Sequence, residues 1–342
     1  MKEAMLYEKL ERNVVRCGLC SHRCTIQDGK TGVCLVRRNE GGTLYSLVYG
    51  QLQAQNIDPI EKKPLFHYYP GTLSFSIATA GCNFRCSFCQ NWSLSQGPRE
   101  YARVDGRYTT PEEVVSAAER SRCRTIAYTY SEPTICFEYA YDIMSLAKQR
   151  GIDNVFVTNG YMTREMLELV RPYLGAMNID LKCFRDETYR KVIKGRLQPV
   201  LDSIRNAKEM GYWLEVTTLL VPGMNDSDTE VREIAEFIAS TGSEIPWHIS
   251  AFHPDYKMRD RERTPVELIR KAIDIGREAG LRYVFAGNLP GDPTESTRCY
   301  QCGEMLIERY GFTVTNFCIR DGKCPKCGAE IDGVGLEKLG RG

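Results

Sequence analysis

Cys82, Cys86 and Cys89 stand at C-x3-C-x2-C in the run Gly81-Cys82-Asn83-Phe84-Arg85-Cys86-Ser87-Phe88-Cys89-Gln90-Asn91. Three thiolates this close suit a metal centre, and the next cysteine, Cys123, is 34 positions on. A [4Fe–4S] cluster normally takes four cysteines. With three, one iron stays open to a small molecule, much as three-ligand catalytic zinc sites keep one position open. A zinc knuckle with a remote fourth ligand is the competing reading. Two other cysteine groups flank this loop. Cys17, Cys20, Cys24 and Cys34 follow C-x2-C-x3-C-x9-C, and all four could ligate one metal. That spacing is neither the ferredoxin run nor the usual pair of zinc knuckles, so zinc and an auxiliary iron–sulfur cluster both stay open, with zinc read first. Cys299, Cys302, Cys324 and Cys327 form two C-x2-C pairs with 21 residues between them, and Gly303 and Gly328 follow the second Cys of each pair. This fits a structural zinc ribbon, although a rubredoxin-type single iron uses the same arrangement. Cys318 is left over.

These groups need elements to position them. Between residues 72 and 292, short apolar runs alternate with amphipathic stretches. The runs rich in β-branched and aromatic residues are Leu73–Ala80, Arg124–Tyr130, Asn154–Thr158, Ala176–Leu181, Trp213–Leu219, His248–Phe252 and Tyr283–Ala286. Helix starts are marked at Thr110-Pro111-Glu112-Glu113, Thr163-Arg164-Glu165, Asp228-Thr229-Glu230 and Thr264-Pro265-Val266-Glu267. Strands alternating with helices imply a parallel sheet. Periodicity alone does not separate a β/α barrel from a doubly wound sheet. In a barrel the chemistry gathers at the C-terminal strand ends. Those ends carry Glu132, the turn Thr158-Asn159-Gly160, the pair Asp180 and Lys182, and then His248 and His253. Glu132 can accept from an ammonium group or cap a helix start. Asp180 and Lys182 point to one side of their strand, where they can hold a zwitterion or form a plain ion pair. His248 and His253 can equally be structural. Basic stretches at 185–196 and 257–263 lie on the same face, as phosphate sites or solvated loops.

The three-cysteine loop, with aromatic Phe88 before its last Cys, resembles the signature of the radical SAM superfamily. That resemblance implies a partial (β/α)6 TIM-like barrel with the cluster loop after the first strand. It also implies a [4Fe–4S] cluster on Cys82, Cys86 and Cys89 that cleaves S-adenosylmethionine reductively. The products are methionine and a 5′-deoxyadenosyl radical, which abstracts hydrogen from a protein or small molecule. Glu132 matches the acid that contacts the amino group in that superfamily, although Tyr130 and Ser131 replace the usual glycines. Asn91, Asn159, the Asp180–Lys182 pair and His253 resemble cofactor-contacting positions of glycyl-radical-enzyme activases, and Phe88 would pack near the adenine. Val157 departs from the Asp that activases carry before that turn. Over most of its length the chain resembles the AmmeMemoRadiSam system radical SAM enzymes, relatives of pyruvate formate-lyase activating enzyme. The shared features are the N-terminal cysteines, Ile57-Asp58-Pro59-Ile60-Glu61-Lys62-Lys63-Pro64-Leu65, Gln90-Asn91-Trp92 and the C-terminal ribbon. The resemblance implies a one-electron donor such as flavodoxin or ferredoxin, an acceptor for the radical, and association with Memo-type and AMMECR-type proteins.

Three pieces are expected: a Cys-rich segment at 1–71, the barrel at 72–292 and a zinc-ribbon-like tail at 293–342. The formal net charge is +1 among 342 residues, which gives no support for bulk nucleic-acid or anionic-membrane binding. Fifteen cysteines, an odd number with C-x2-C pairs, argue for metal sites in a reducing compartment rather than a disulfide framework. With no long apolar run, a cytoplasmic and oxygen-avoiding enzyme is expected. The alternative from another class is a zinc-dependent RNA- or protein-binding module, supported by the ribbon alone.

Overall fold

The computed structural model describes residues 1–337. Its main sheet is built from β1 (Gln51–Pro59), β2 (Leu73–Thr79), β3 (Thr125–Tyr128), β4 (Asp153–Thr158), β5 (Leu174–Asp180), β6 (Trp213–Leu220), β7 (Trp247–Ala251) and β8 (Val284–Gly287). Strands β2 to β8 pair in sequence order and all run parallel. Six crossovers join them. They carry α1 (Pro111–Arg120), α2 (Phe137–Gln149), α3 (Arg164–Val170), α4 (Leu197–Glu209), α5 (Asp228–Thr241) and α6 (Val266–Glu278). The strand order does not close on itself, so the architecture is an open, partial (β/α)6 barrel.

The helix starts follow local chemistry. Thr110 and Glu113 form a reciprocal capping box on α1, with Pro111 at the first helical position. Thr163 caps α3, and Ser227, one residue before the expected start, caps α5. Thr264 does not cap α6; its hydroxyl donates to the Leu220 carbonyl and accepts from Phe252 N–H, tying β6 to the loop after β7.

Alternation along the strands separates two faces. Ile126, Tyr128, Phe156, Met177 and Val216 pack outward with the helices. Ala127, Val155 and Ala176 face the other way and pack on Ile60, Leu65 and Tyr68. Small inward residues leave room for residues 60–71, which fill the barrel interior. This segment is held by charge and backbone contacts. Glu215 of β6 accepts from the N–H groups of Phe66 (2.9 Å) and His67 (2.8 Å), and Asn178 of β5 donates to the Pro64 carbonyl at 2.8 Å.

The expected 1–71 segment is therefore not separate from the barrel. Its last part supplies β1, which pairs antiparallel with β2, and the interior plug. Residues 1–46 form two small antiparallel sheets, fastened to α2 by a buried Arg37–Glu138 ion pair at 2.8 Å. At the other end, β9 (Thr297–Arg298), β10 (Met305–Tyr310) and β11 (Thr313–Phe317) make an antiparallel sheet. Leu306 and Ile307 of this sheet, and Ile319 just after it, pack with Phe66, Tyr283 and Phe285. Among the described residues, no helix is long and apolar enough to cross a membrane.

Candidate active site and cysteine centres

The C-terminal strand ends surround a cavity of about 500 Å³. Cys82, Cys86 and Cys89, on the loop after β2, form part of its wall. Each sulfur sits beside specific groups. Phe84 N–H donates to Cys82 Sγ at 3.3 Å, and Asn159 Nδ2 donates to the same sulfur at 3.6 Å. Ser95 Oγ lies 3.1 Å from Cys89 Sγ. Burial pushes the Cys86 thiol up to about 12, with the Lys182 charge opposing. Three thiols in a mostly buried wall, with N–H donors at Cys82 Sγ and a hydroxyl beside Cys89 Sγ, fit a cluster that binds as thiolates and releases protons on loading.

The loop's shape depends on Phe84, which is 1% exposed and packs against Tyr161 and Tyr189. Backbone bonds from Arg85 and Ser87 to the carbonyls of Ile193 and Val192 clamp it to the chain after β5. Phe88 is buried and lines the cavity, 6.0 Å from Lys182 Nζ. Asn91 also lines it, exposed at the start of a short helix.

Asp180 and Lys182 face the cavity as a pair, with Lys182 Nζ donating to Asp180 Oδ2 at 2.8 Å. Burial works against the Lys182 charge, but Asp180 and Cys86 outweigh it and hold its pKa above the usual lysine range. Glu132 is also in the wall, and its carboxylate is heavily used. Oε1 accepts from Thr134 N–H (3.1 Å), Thr134 Oγ1 (2.5 Å) and Thr158 Oγ1 (2.7 Å), and Oε2 accepts from Asn159 N–H at 2.8 Å. It therefore joins the ends of β3 and β4 and caps the short helix that follows it. Oε2 keeps capacity for one more donor. Burial raises its carboxyl, and these hydrogen bonds pull it back.

The two histidines part company. His253 is exposed and stands outside the cavity lining, its Nδ1 meeting Gln90 Nε2 at 2.8 Å. The strand ends at Ala251, so alternation no longer governs where residue 253 points. His248 is buried within β7 and bonds Glu215 Oε2 at 2.6 Å, beside the plug. The sequence reading missed Lys62, Tyr130 and Phe312, which also line the cavity. Phe312 comes from the β10–β11 turn, so the C-terminal unit borders the cavity. Nothing in the local sequence marks it. Asp58 accepts from Lys63 Nζ at 2.6 Å and from the Tyr130 hydroxyl. Burial lowers Lys63 to about 8, with Asp58 opposing.

In the C-terminal unit the four sulfurs of Cys299, Cys302, Cys324 and Cys327 all lie within 4.8 Å of one another. Cys299–Cys327 and Cys302–Cys324 are 3.6 and 3.7 Å apart. A tetrahedral ion with metal–sulfur bonds of about 2.3 Å sets sulfurs about 3.75 Å apart, so the set fits one such ion. Burial raises the Cys324 thiol, but N–H groups of Cys327 and Lys326 and the neighbouring thiols bring it down to about 7. The N-terminal four line a separate internal space. Burial pushes Cys34 up to about 11 and Cys20 higher, with Cys17 and Cys24 adding to both.

Residues 76–238 match the family model described as the Radical SAM superfamily. The chain carries a Radical SAM domain. This radical SAM protein is 46% identical over 335 residues to an uncharacterized protein of Methanocaldococcus jannaschii, covering 97% of this chain and 99% of that one. It is 30% identical over 171 residues to a probable GTP 3′,8-cyclase of Thermococcus kodakarensis, covering 48% of this chain and 52% of the cyclase. It is 25% identical over 209 residues to the pyruvate formate-lyase-activating enzyme of Clostridium pasteurianum, covering 56% of this chain and 84% of that enzyme. The superfamily implies a [4Fe–4S] cluster and S-adenosylmethionine. These matches lend no support to the alternative of a zinc-dependent binding module.

Proposed function

We propose that this radical SAM protein holds its [4Fe–4S] cluster on Cys82, Cys86 and Cys89 and acts on a substrate in the manner of an activating enzyme. When bound, the cluster and S-adenosylmethionine supply reductive cleavage to methionine and a 5′-deoxyadenosyl radical that takes hydrogen from the substrate. One observation carries the reading: the three thiols and the Asp180–Lys182 pair line one cavity of about 500 Å³.

The chain's own residues have separable tasks. Asp180 and Lys182 present opposite charges to the amino and carboxylate groups of a zwitterion. Glu132 Oε2 and Asn159 add polar contacts. Phe84 and Phe88 exclude water beside the cysteines and offer an apolar surface to the adenine. Lys62, Tyr130 and Phe312 also line the cavity, where they would meet the hydrogen donor. The likeness to an activating enzyme favours a protein acceptor, and the likeness to a cyclase keeps a small molecule as the second reading. A flavodoxin or ferredoxin would supply the electron. Memo-type and AMMECR-type proteins are candidate partners through the AmmeMemoRadiSam resemblance, and Cys299–Cys327 would hold zinc. An oxygen-free, cytoplasmic setting goes with this reading. Residues 1–46 and 293–342 would then be accessory units around a barrel at 72–292.

The test is an anaerobic assay of 5′-deoxyadenosine and methionine from reconstituted, dithionite-reduced protein. Formation in wild type and loss in Cys86→Ala, with the C-terminal metal kept, is the expected result. Cleavage that survives Cys86→Ala overturns the ligand assignment. Adding each candidate partner then reports the acceptor by loss of label from a deuterated substrate.

A further inference from the structure

The N-terminal cysteines differ from the C-terminal four in one measurable way. Among the described residues, Cys299, Cys302, Cys324 and Cys327 are the one set of three or more His, Cys, Asp or Glu whose ligand atoms gather within 4.8 Å. Cys17, Cys20, Cys24 and Cys34 nevertheless line one internal space together with Arg37 and Asn83. A single tetrahedral ion draws its sulfurs to about 3.75 Å. Sulfurs that surround a common space yet stand farther apart fit a larger guest, in which several metal atoms each take one thiolate.

Two buried donors point to the same conclusion. Asn83 is 1% exposed and Arg37 is 2% exposed. Asn83 Nδ2 and Arg37 Nε have no hydrogen-bond partner. The rest of each side chain is committed. Asn83 Oδ1 accepts from Asn159 Nδ2 at 2.7 Å, and both Arg37 Nη atoms donate to Glu138, at 2.8 and 2.9 Å. An unmade buried hydrogen bond costs about 1–3 kcal/mol. Two such N–H groups on residues that line one space call for an acceptor in it. Asn83 lines this space and not the barrel cavity. Thiolate and sulfide sulfurs are acceptors, and a sulfide-bridged cluster offers more of them than a lone ion.

We propose that Cys17, Cys20, Cys24 and Cys34 hold a second [4Fe–4S] cluster, with Asn83 Nδ2 and Arg37 Nε donating to its sulfurs. Four protein ligands close this cluster, so it carries electrons and does not bind substrate. It shares a wall with the three-cysteine loop. His22 Nε2 meets the Asn83 carbonyl at 2.8 Å, and a Cβ on Gly81 would stand 3.4 Å from the Cys34 carbonyl. The assignment does not depend on S-adenosylmethionine cleavage.

The experiment counts iron, sulfide and zinc in the full chain after anaerobic reconstitution. The proposal expects about eight iron and eight sulfide in wild type. It expects about four of each in the Cys82→Ser/Cys86→Ser/Cys89→Ser variant, with a dithionite-reduced paramagnetic signal that disappears when Cys20→Ser and Cys24→Ser are added. One zinc per chain in all three proteins shows that the C-terminal unit is intact. About four iron in wild type together with a second zinc overturns the proposal in favour of a lone ion. Should the loop variant fail to fold, the wild-type iron count alone decides. In the loop-variant background, Asn83→Leu should move the midpoint potential of the remaining cluster to more negative values. An unchanged midpoint overturns the Asn83 contact. Absence of 5′-deoxyadenosine in wild type that carries eight iron would fail the proposed activity and leave this cluster standing.

Discussion

His67 is the group whose protonation should loosen the C-terminal unit. It is fully buried between the barrel and that unit. Its Nδ1 meets the Asp332 carbonyl at 2.7 Å, and a carbonyl only accepts, so Nδ1 carries the proton. Its Nε2 lies 3.0 Å from Thr297 Oγ1, which itself accepts from Arg309 Nη1 at 2.9 Å. With burial disfavouring the charged ring, the Thr297 hydroxyl donates to Nε2 and the ring is held neutral. Burial lowers His67 to about 4; Glu215 opposes, while Arg309 and His248 add to the fall. An unfolded chain takes up this proton near pH 6.5, and the folded one only near 4. Between those values the unfolded state binds the extra proton, so stability falls as pH falls, by about 1.4 kcal/mol per pH unit. The full loss across the window is about 3 kcal/mol, on the order of two orders of magnitude in the equilibrium. The assay compares urea midpoints of metal-loaded wild type and His67→Gln from pH 7.5 to 4.5. Acid stripping of metal and titration of carboxylates act on both proteins, so the difference in slope isolates residue 67. Parallel pH profiles for the two would refute the neutral-ring argument.

Two further substitutions probe the barrel site. Asp180→Asn removes the charge that balances Lys182; a hydrogen bond to a charged group is worth about 1.5–3 kcal/mol, so S-adenosylmethionine affinity should fall about 10- to 100-fold. Titration calorimetry under argon checks it, and unchanged affinity would remove the pair from the binding site. At Gly195 a Cβ would stand 2.4 Å from Phe84 Cε1, against a ring that is almost fully buried. Gly195→Ala should cost about 1–3 kcal/mol by overpacking and lower the iron bound by the Cys82–Cys89 loop, read by unfolding midpoint and iron content.

The parallel strands were legible because their chemistry is uniform. Trp213–Leu220 and its neighbours are mostly apolar or β-branched on both faces, as buried parallel strands require, with single polar exceptions such as Glu215 and Asn178 that hold the plug. The expected start of the barrel at residue 72 left out β1. Gln51, Gln53, Gln55 and Asn56 make it polar, and its Ile57 is 52% exposed, so nothing local separates it from a loop. Pairing with β2 creates it. The cysteine motifs stood out by their spacing, but among the described residues only Cys299, Cys302, Cys324 and Cys327 have sulfurs gathered within 4.8 Å, and the fold rather than spacing joins their two pairs. Glu132, Asn159, Asp180 and Lys182 were found because strand ends are where barrels collect polar groups, and each lines the cavity. His253 was read by the same rule and falls outside the lining, because the loop after β7 turns it to solvent. The commitment of Glu132 to four hydrogen bonds, and the orphaned amide of Asn83, depend on contacts across strands that no sequence window contains.

Residues 60–71 belong to two places at once. Lys62 and Pro64 border the barrel cavity, while the Phe66 carbonyl accepts from Arg309 Nη2 at 2.7 Å and the His67 carbonyl accepts from Val334 N–H at 2.8 Å. A metal at Cys299–Cys327 and a ligand in the barrel therefore act on one short stretch of backbone. By thermodynamic reciprocity, any tightening of the metal by the ligand is matched by an equal tightening of the ligand by the metal. Such coupling would make the four-cysteine unit a second set point for the cavity, readable as a ligand-dependent rate of metal loss to a chelator.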